Sequence, residues 1–198
     1  MPFKLNTNIF YEVFYSNLQS SFSIRSHLTY RERVELYSIA QKNNNNVVVE
    51  IGSYLCASAA AFGAGMKYKS KGRLFCIDTW MNDSMTEGSK DTMEDFLKNI
   101  EPFAELVVPI RGWSTEVVGQ IAKQIDSIDL LFIDGDHSYE GCLADWQSYA
   151  PLLSDSAIVA FHDVGWAEGV QAVVEQEVRP HVVREKWLKN LWWGCLGK

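Results

Sequence analysis

The chain has 198 residues, of which 47% are hydrophobic and 22% charged, and its formal net charge is −7. This length suits one domain, and this balance is globular, not disordered. The acidic charge argues against a nucleic-acid-binding surface, which is usually basic. The sequence has no CxxC pair, no signal peptide and no apolar run long enough to span a bilayer, so we expect a cytoplasmic protein with reduced thiols that binds neither nucleic acid nor membrane.

Residues 1–46 are predicted to form an N-terminal helical segment that belongs to the same domain and caps it. Within this segment, apolar residues at helical spacing predict a helix from Tyr30 to Lys42. Four asparagines, Asn43 to Asn46, predict a turn after it. The segment and the loop from Met81 to Asp91 are expected to select the substrate, because loops over a rigid scaffold usually carry selectivity.

From residue 47 onward, short apolar runs alternate with helical patterns. The predicted strands are Val47–Ile51, Arg73–Ile77, Leu106–Ile110, Asp129–Ile133, Ser156–Phe161, Val182–Trp187 and Leu191–Leu196. The predicted helices are about Cys56–Met66, Asp91–Ile100, Ser114–Gln124, one running through Trp146, and Ala167–Val178. This alternation predicts a doubly wound α/β fold with a mostly parallel seven-stranded sheet. The last two strands have no helix between them, which predicts an antiparallel C-terminal hairpin.

Ligands of such sheets bind beyond the carboxyl ends of the strands. Gly52 follows the first strand, where it would let a ligand approach the backbone, although any strand-to-helix turn can need a glycine. Asp78 ends the second strand, where it would accept hydrogen bonds from ribose hydroxyls or serve as a helix cap. The dinucleotide pattern GxGxxG is absent, which favours a nucleoside with a carboxylate tail over one with a pyrophosphate.

The fourth and fifth strands run into the segments DLLFIDGDHSYEG and SAIVAFHDV. Asp134 and Asp136 follow the fourth strand, and His162 and Asp163 follow the fifth, so their side chains are expected to converge. Oxygen ligands from two loops suit Mg²⁺, and a histidine would admit Mn²⁺. The alternative is a pair of turns that use Asp and Gly for backbone reasons.

The FIDGDHSYEG and FHDV segments, with the glycine turn, resemble class I S-adenosylmethionine-dependent methyltransferases. They are most similar to the metal-dependent O-methyltransferases of the catechol and caffeoyl-CoA types, and among these to a bacterial macrolide-sugar group. The resemblance covers about Val47 to the C-terminus, which makes residues 47–198 the methyltransferase domain. It implies a Rossmann-like fold, S-adenosylmethionine, Mg²⁺ or Mn²⁺, and a small-molecule hydroxyl acceptor such as a sugar, natural product or catechol. A homo-oligomer is compatible with it.

The resemblance also implies roles for individual residues. The implied cofactor-binding residues are Glu50 and Gly52 (methionine end), Ser58 (carboxylate), Asp78 (ribose), Trp113 and Ser114 (adenine) and Asp134 (near the amine). The implied metal ligands are Asp134 and Asp163, with His162 beside them. His137 matches the general base, although a histidine in this loop can also cap the next helix.

The sequence departs from the family pattern at two places, and three alternative functions stay open. Cys56 stands where the family often has glycine, and His162-Asp163 stands where the catechol type commonly has Asp-Asn. The first alternative is a metal-independent methyltransferase whose acids and histidine bind the substrate directly. The others are a nucleotide-binding oxidoreductase and a non-enzymatic binding module with this fold.

Overall fold

The computed structural model describes residues 17–42, 47–67, 72–82 and 88–197. Over these residues the α-helices are α1 (Leu18–Ser23), α2 (Tyr30–Gln41), α3 (Ala57–Met66), α4 (Met93–Ile100), α5 (Ser114–Ala122), α6 (Tyr139–Tyr149) and α7 (Glu168–Val173). The strands are β1 (Val47–Ile51), β2 (Arg73–Asp78), β3 (Val107–Arg111), β4 (Ile128–Ile133), β5 (Leu153–His162), β6 (Val182–Trp187) and β7 (Leu191–Leu196). The predicted turn at 43–46, residues 1–16 of the N-terminal segment and residues 83–87 of the 81–91 loop lie outside the described residues.

The seven strands form one sheet in the order β3-β2-β1-β4-β5-β7-β6. Strands β1 to β5 pair in parallel, whereas β7 is antiparallel to both β5 and β6. This confirms the predicted fold class, including the closing hairpin. The direction in which successive strands are added reverses between β1 and β4, and this switch point is where open sheets of this kind place their ligands.

Several predicted boundaries differ from those of the structure, most of them by one or two residues. Strand β5 begins at Leu153 rather than Ser156, and α4 begins at Met93, whose backbone amide is capped by the Asp91 carboxylate at 3.0 Å. The predicted last helix is α-helical only to Val173 and continues as a π-helical turn over Val174–Val178. Its apolar stripe runs through both parts, so apolar spacing alone does not distinguish them.

The side chains of alternate strand residues pack into two separate hydrophobic cores, one on each face of the sheet. Val48 points to the core shared with α1 to α4, and its neighbour Val49 to the core shared with α5 to α7. Helix α3 is buried along its whole length. A Cβ at Gly65 would lie 2.6 Å from the carbonyl oxygen of Tyr37, so the glycine lets α2 pack closely on α3.

Helix α2 begins with a reciprocal capping box. The backbone amide of Glu32 donates to the Thr29 hydroxyl at 3.3 Å, and the backbone amide of Thr29 donates to the Glu32 carboxylate at 2.7 Å. Within the described ranges, no helix has both the length and the apolar character needed to cross a membrane. All four cysteines are free and buried, as expected of reduced thiols.

Candidate active site

A cavity of about 430 Å³ opens at the carboxyl ends of the parallel strands. Each of the first five strands contributes a predicted residue to its wall: Gly52, Asp78, Trp113, Asp134 and Asp163. Ser58, Ser114, His137 and His162 line it as well. The sheet therefore gathers residues from a stretch of more than one hundred positions at one edge, as the strand-end rule predicts.

The glycine turn after β1 is pressed against the turn after β4. Gly52 has a φ of 86°, and a Cβ there would lie 2.0 Å from the carbonyl oxygen of Asp134. The backbone amide of Asp134 donates to the carbonyl oxygen of Ile51 at 2.9 Å, which holds the two turns together. Backbone packing thus requires glycine here, in addition to any ligand that approaches the turn.

Glu50 lies beneath the cavity, unlike the other predicted cofactor-binding residues, which line it. Its Oε2 accepts a hydrogen bond from the Ser53 hydroxyl at 2.6 Å, and its Oε1 has no hydrogen-bond partner within the described ranges. Burial raises the pKa of Glu50 to about 7, against a smaller lowering by the hydrogen bond from Ser53. Glu50 therefore supports the turn after β1, through Ser53, from beneath the cavity wall.

Asp78 joins the turn after β1 to the turn after β2. Its Oδ2 accepts from the backbone amide of Tyr54 and its Oδ1 from that of Trp80, both at 2.7 Å. Tyr54 and Trp80 both have left-handed backbones, with φ of 44° and 51°. Since each carboxylate oxygen has two lone pairs, Asp78 keeps acceptor capacity for a ligand hydroxyl in the cavity.

Asp163 is the centre of a hydrogen-bond network at the other end of the cavity. Its Oδ2 accepts from His137 Nε2 at 2.8 Å. Its Oδ1 accepts from Trp166 Nε1 at 2.7 Å and from Asn190 Nδ2 at 2.8 Å. The hydrogen bond to Asp163 raises the pKa of His137, and burial opposes this more weakly. These bonds fix the orientation of both the carboxylate and the His137 ring.

His162 is buried between three carboxylates. Its Nδ1 lies 3.2 Å from Asp134 Oδ1 and 3.3 Å from Asp163 Oδ1, and its Nε2 lies 3.7 Å from Glu32 Oε2. Burial lowers the pKa of His162, but the charge and hydrogen bonds of these acids outweigh burial and hold it above the usual range. Through Glu32, helix α2 of the N-terminal segment reaches the centre of the site.

The predicted metal ligands do come together. Asp134, His162 and Asp163 each offer one ligand atom, and these atoms lie within 4.8 Å of one another. Carboxylate oxygens with one imidazole nitrogen suit a divalent cation such as Mg²⁺ or Mn²⁺. The imidazole must be neutral to bind metal, so a cation here would displace the Nδ1 proton.

Sequence reasoning missed several residues of this site. Asn190 helps to orient Asp163, and Glu32 faces His162. Asp145 lines the cavity and accepts a hydrogen bond from the Ser114 hydroxyl. Thr29 and Glu32 do form the Thr-x-x-Glu signature of a capping box, which marks a helix start but not a contact with His162. The other residues carry no local motif.

A sheet of this order with a cavity at its carboxyl ends is the fold of a class I methyltransferase. A family model described as a methyltransferase domain matches residues 49–164, more than half of the chain, and the chain belongs to this family. The matched part of the chain is thus a methyltransferase domain.

Comparison with individual proteins agrees on the fold. The O-methyltransferase from Bacillus cereus, solved in complex with SAH, has a TM-score of 0.71 at 14% identity and covers 99% of this chain and 93% of its own. MycE methyltransferase from the mycinamycin biosynthetic pathway, solved with Mg, SAH and mycinamycin VI, has a TM-score of 0.59 at 14% identity, over 92% of this chain and 54% of its own. At such identities the likeness concerns the fold alone.

A curated relative, the uncharacterized protein y4gI of Sinorhizobium fredii, is 27% identical over 122 residues. The match spans 59% of this chain and only 13% of that protein. The chain thus corresponds to a small part of this much longer relative.

Proposed function

We propose that this methyltransferase transfers a methyl group from S-adenosylmethionine to a hydroxyl oxygen of a small molecule, with the assistance of a divalent cation. The observation that carries the proposal is the cavity itself. One wall presents the glycine turn and Asp78, which suit a nucleoside, and the other presents His137 hydrogen-bonded to Asp163, which suits removal of a proton. The structures solved with SAH have the same fold, which supports this choice of cofactor.

The residues present fit S-adenosylmethionine. When bound, it supplies an electrophilic methyl group on its sulfonium. Gly52 leaves the turn after β1 free of a side chain, and Asp78 offers carboxylate oxygens to the ribose hydroxyls. Ser58, which is buried at the start of α3 and lines the cavity, offers a hydroxyl to the carboxylate of the methionine end. These groups orient the cofactor, and orientation supplies much of the rate in a transfer of this kind.

His137 is proposed as the general base. Its Nε2–H donates to Asp163 Oδ2 at 2.8 Å, which leaves Nδ1 as the ring nitrogen that takes the proton of the acceptor hydroxyl. Asp163 then stabilises the imidazolium that forms, in the way a carboxylate orients and supports a catalytic histidine elsewhere. The side chain of His137 is 40% exposed, so an acceptor can reach its ring.

Asp134, His162 and Asp163 would hold the divalent cation. A cation there lowers the pKa of an acceptor hydroxyl and orients vicinal oxygens. The donor set and its compactness support this role, as does the Mg in the MycE structure. Acceptors with two neighbouring hydroxyls, such as sugar diols and catechols, are therefore the first class to test.

A metal-independent methyltransferase is the second candidate, and one observation favours it. Both oxygens of Asp163 already accept hydrogen bonds, from His137, Trp166 and Asn190, and His162 lies between the two acids. A protonated His162 would then supply positive charge where a metal otherwise would.

Turnover assays separate the two candidates. The protein would be dialysed against EDTA, supplied with S-adenosylmethionine and a panel of sugar diols and catechols, and assayed for S-adenosylhomocysteine before and after Mg²⁺ or Mn²⁺ is restored. The proposal expects activity that depends on added metal. Full activity after chelation would favour the second candidate, and no turnover with any hydroxyl acceptor would count against O-methylation.

A further inference from the structure

Asp145 is a buried carboxylate in the cavity wall that the proposed chemistry does not use. It lies on α6, it is 5% exposed, and it lines the cavity. Its Oδ1 accepts a hydrogen bond from the hydroxyl of Ser114, the first residue of α5. In the described part of the chain, no donor is bonded to Oδ2. One oxygen of this carboxylate is therefore available to accept a hydrogen bond from a group in the cavity.

The open oxygen lies close to a glycine of the turn after β4. A Cβ at Gly135, in the turn after β4, would lie 3.1 Å from Asp145 Oδ2. Oδ2 thus lies beside the Gly135 backbone, in a turn that lines the cavity together with Asp145. Ser114 is fixed on its other side by the Tyr149 hydroxyl, which donates to the Ser114 carbonyl oxygen at 2.9 Å. The position of the Asp145 carboxylate is therefore set by two helices and does not depend on a bound ligand.

The order of the strands indicates which part of a ligand meets Asp145. The proton-accepting pair His137 and Asp163 lies beyond β4 and β5, whereas Asp78 lies beyond β2 and Trp113 beyond β3. A nucleoside whose reactive end lies near His137 and whose ribose lies at Asp78 extends its base toward the loop after β3. There Trp113, which is 57% exposed, offers a flat apolar surface, and Asp145 offers an acceptor for the edge of the base.

We propose that Asp145 selects a 6-aminopurine by accepting a hydrogen bond at Oδ2 from the exocyclic amine. This inference rests on the proposed use of S-adenosylmethionine. A carboxylate can only accept hydrogen bonds, and the 6-amino group can only donate them, so the two match. Hypoxanthine and guanine carry a carbonyl oxygen at the same place, which would face the carboxylate without a proton between them. Sites that hydrogen-bond a ligand group strongly reject analogues that lack it, because the buried partner is left unpaired.

Calorimetry with two ligands tests this selection. The probes are S-adenosylhomocysteine and its hypoxanthine analogue, S-inosylhomocysteine, which differ in the 6-position group, an amine or a carbonyl, and in the N1 proton that accompanies the carbonyl. A hydrogen bond to a charged group corresponds to a preference for the adenine ligand of about tenfold to 150-fold in the wild-type protein. In Asp145→Asn the amide can present either its oxygen or its nitrogen, so the preference should fall to about threefold or less. Glu140→Gln, an exposed change on the same helix, should keep the wild-type preference.

The possible results are distinct. Equal binding of the two probes to the wild-type protein would overturn the role of Asp145 and leave the proposed cofactor intact. An Asp145→Asn protein with native circular dichroism and the wild-type preference would do the same. Failure of the wild-type protein to bind either probe would overturn the proposed function, and the role of Asp145 with it. The wild-type measurement alone keeps the test decisive even if the variant does not fold.

Discussion

The Asp78 carboxylate accepts a hydrogen bond from the backbone amide of Tyr54 at 2.7 Å, which ties the turn after β1 to the end of β2. The same carboxylate also caps the backbone of Trp80. Asp78 thus has a structural role in addition to its proposed contact with ribose. Truncation to alanine would remove both, so the informative substitution is one that keeps the shape of the side chain.

Asp78→Asn should weaken the binding of S-adenosylhomocysteine by about tenfold or more, because bonds from ribose hydroxyls to a charged acceptor are lost. Isothermal calorimetry gives the affinity, and thermal unfolding reports whether the turns remain intact. Glu94→Gln, an exposed change on α4, is the matched control. A natively stable Asp78→Asn protein with unchanged affinity would remove Asp78 from the cofactor site.

His137→Gln should slow methyl transfer by about 10²–10⁴-fold, because glutamine cannot take a proton at neutral pH. The affinity for S-adenosylhomocysteine should change little, because the cofactor gives up no proton. Single-turnover rates with saturating S-adenosylmethionine measure the chemical step. His181→Gln, an exposed histidine away from the cavity, should behave as wild type. Retention of most activity in His137→Gln would reassign the ring to substrate contact or helix capping.

Mn²⁺ should raise the midpoint of thermal unfolding of the wild-type protein, because a ligand that binds only the folded state stabilises it. Near one hundred times the dissociation constant the shift should be about 5 °C or more. Asp134→Asn should abolish most of this shift by removing a charged ligand, and Asp126→Asn, at an exposed position outside the cluster, should not. An equal shift in the Asp134→Asn protein would place the metal elsewhere.

Glu50→Gln should change how stability depends on pH. The pKa of Glu50 is about 7 in the folded protein against an ordinary value of 4.5, so the folded state holds the proton more tightly. The resulting stabilisation is complete below about pH 4.5 and is lost as the pH rises through 7. Between these limits, the free energy of unfolding of the wild type should fall by about 3 kcal/mol relative to the variant.

Denaturant unfolding from pH 4.5 to 8 measures this difference. Glu175→Gln, which removes an exposed carboxylate, should leave the wild-type pH dependence unchanged. Parallel pH profiles for the wild type and Glu50→Gln would show that folding does not raise the pKa of Glu50.

The strands were predictable because each buried strand is a short apolar run bounded by polar turns. Val47–Ile51 and Leu191–Leu196 have the predicted limits. The six-residue helix Leu18–Ser23 was not predicted, because a helix so short shows little apolar periodicity. The π-helical turn of Val174–Val178 was also missed, since it continues the apolar stripe of the preceding helix.

Ligands of such sheets bind beyond the carboxyl ends of the strands, and most of the predicted site residues line one cavity there. This rule could be applied to the sequence because it depends only on where a strand ends. It could not identify partners that arrive from helices or distant loops. Asn190 meets Asp163 from the β6–β7 hairpin, and Glu32 meets His162 from α2. Such contacts follow from packing, which leaves no local pattern in the sequence. The strand-end rule also could not show that Glu50 lies beneath the cavity wall.

The contact between the turn of Gly52 and the carbonyl oxygen of Asp134 bears on how copies of this gene would diverge. A copy released from catalysis still needs glycine at this position, because any side chain would meet that oxygen at 2.0 Å. His137 is under no such constraint, since its side chain is 40% exposed and its ring mainly contacts residues of the site. Given the proposed role of His137 as general base, a copy that has lost activity would keep the glycine and be free to lose the histidine.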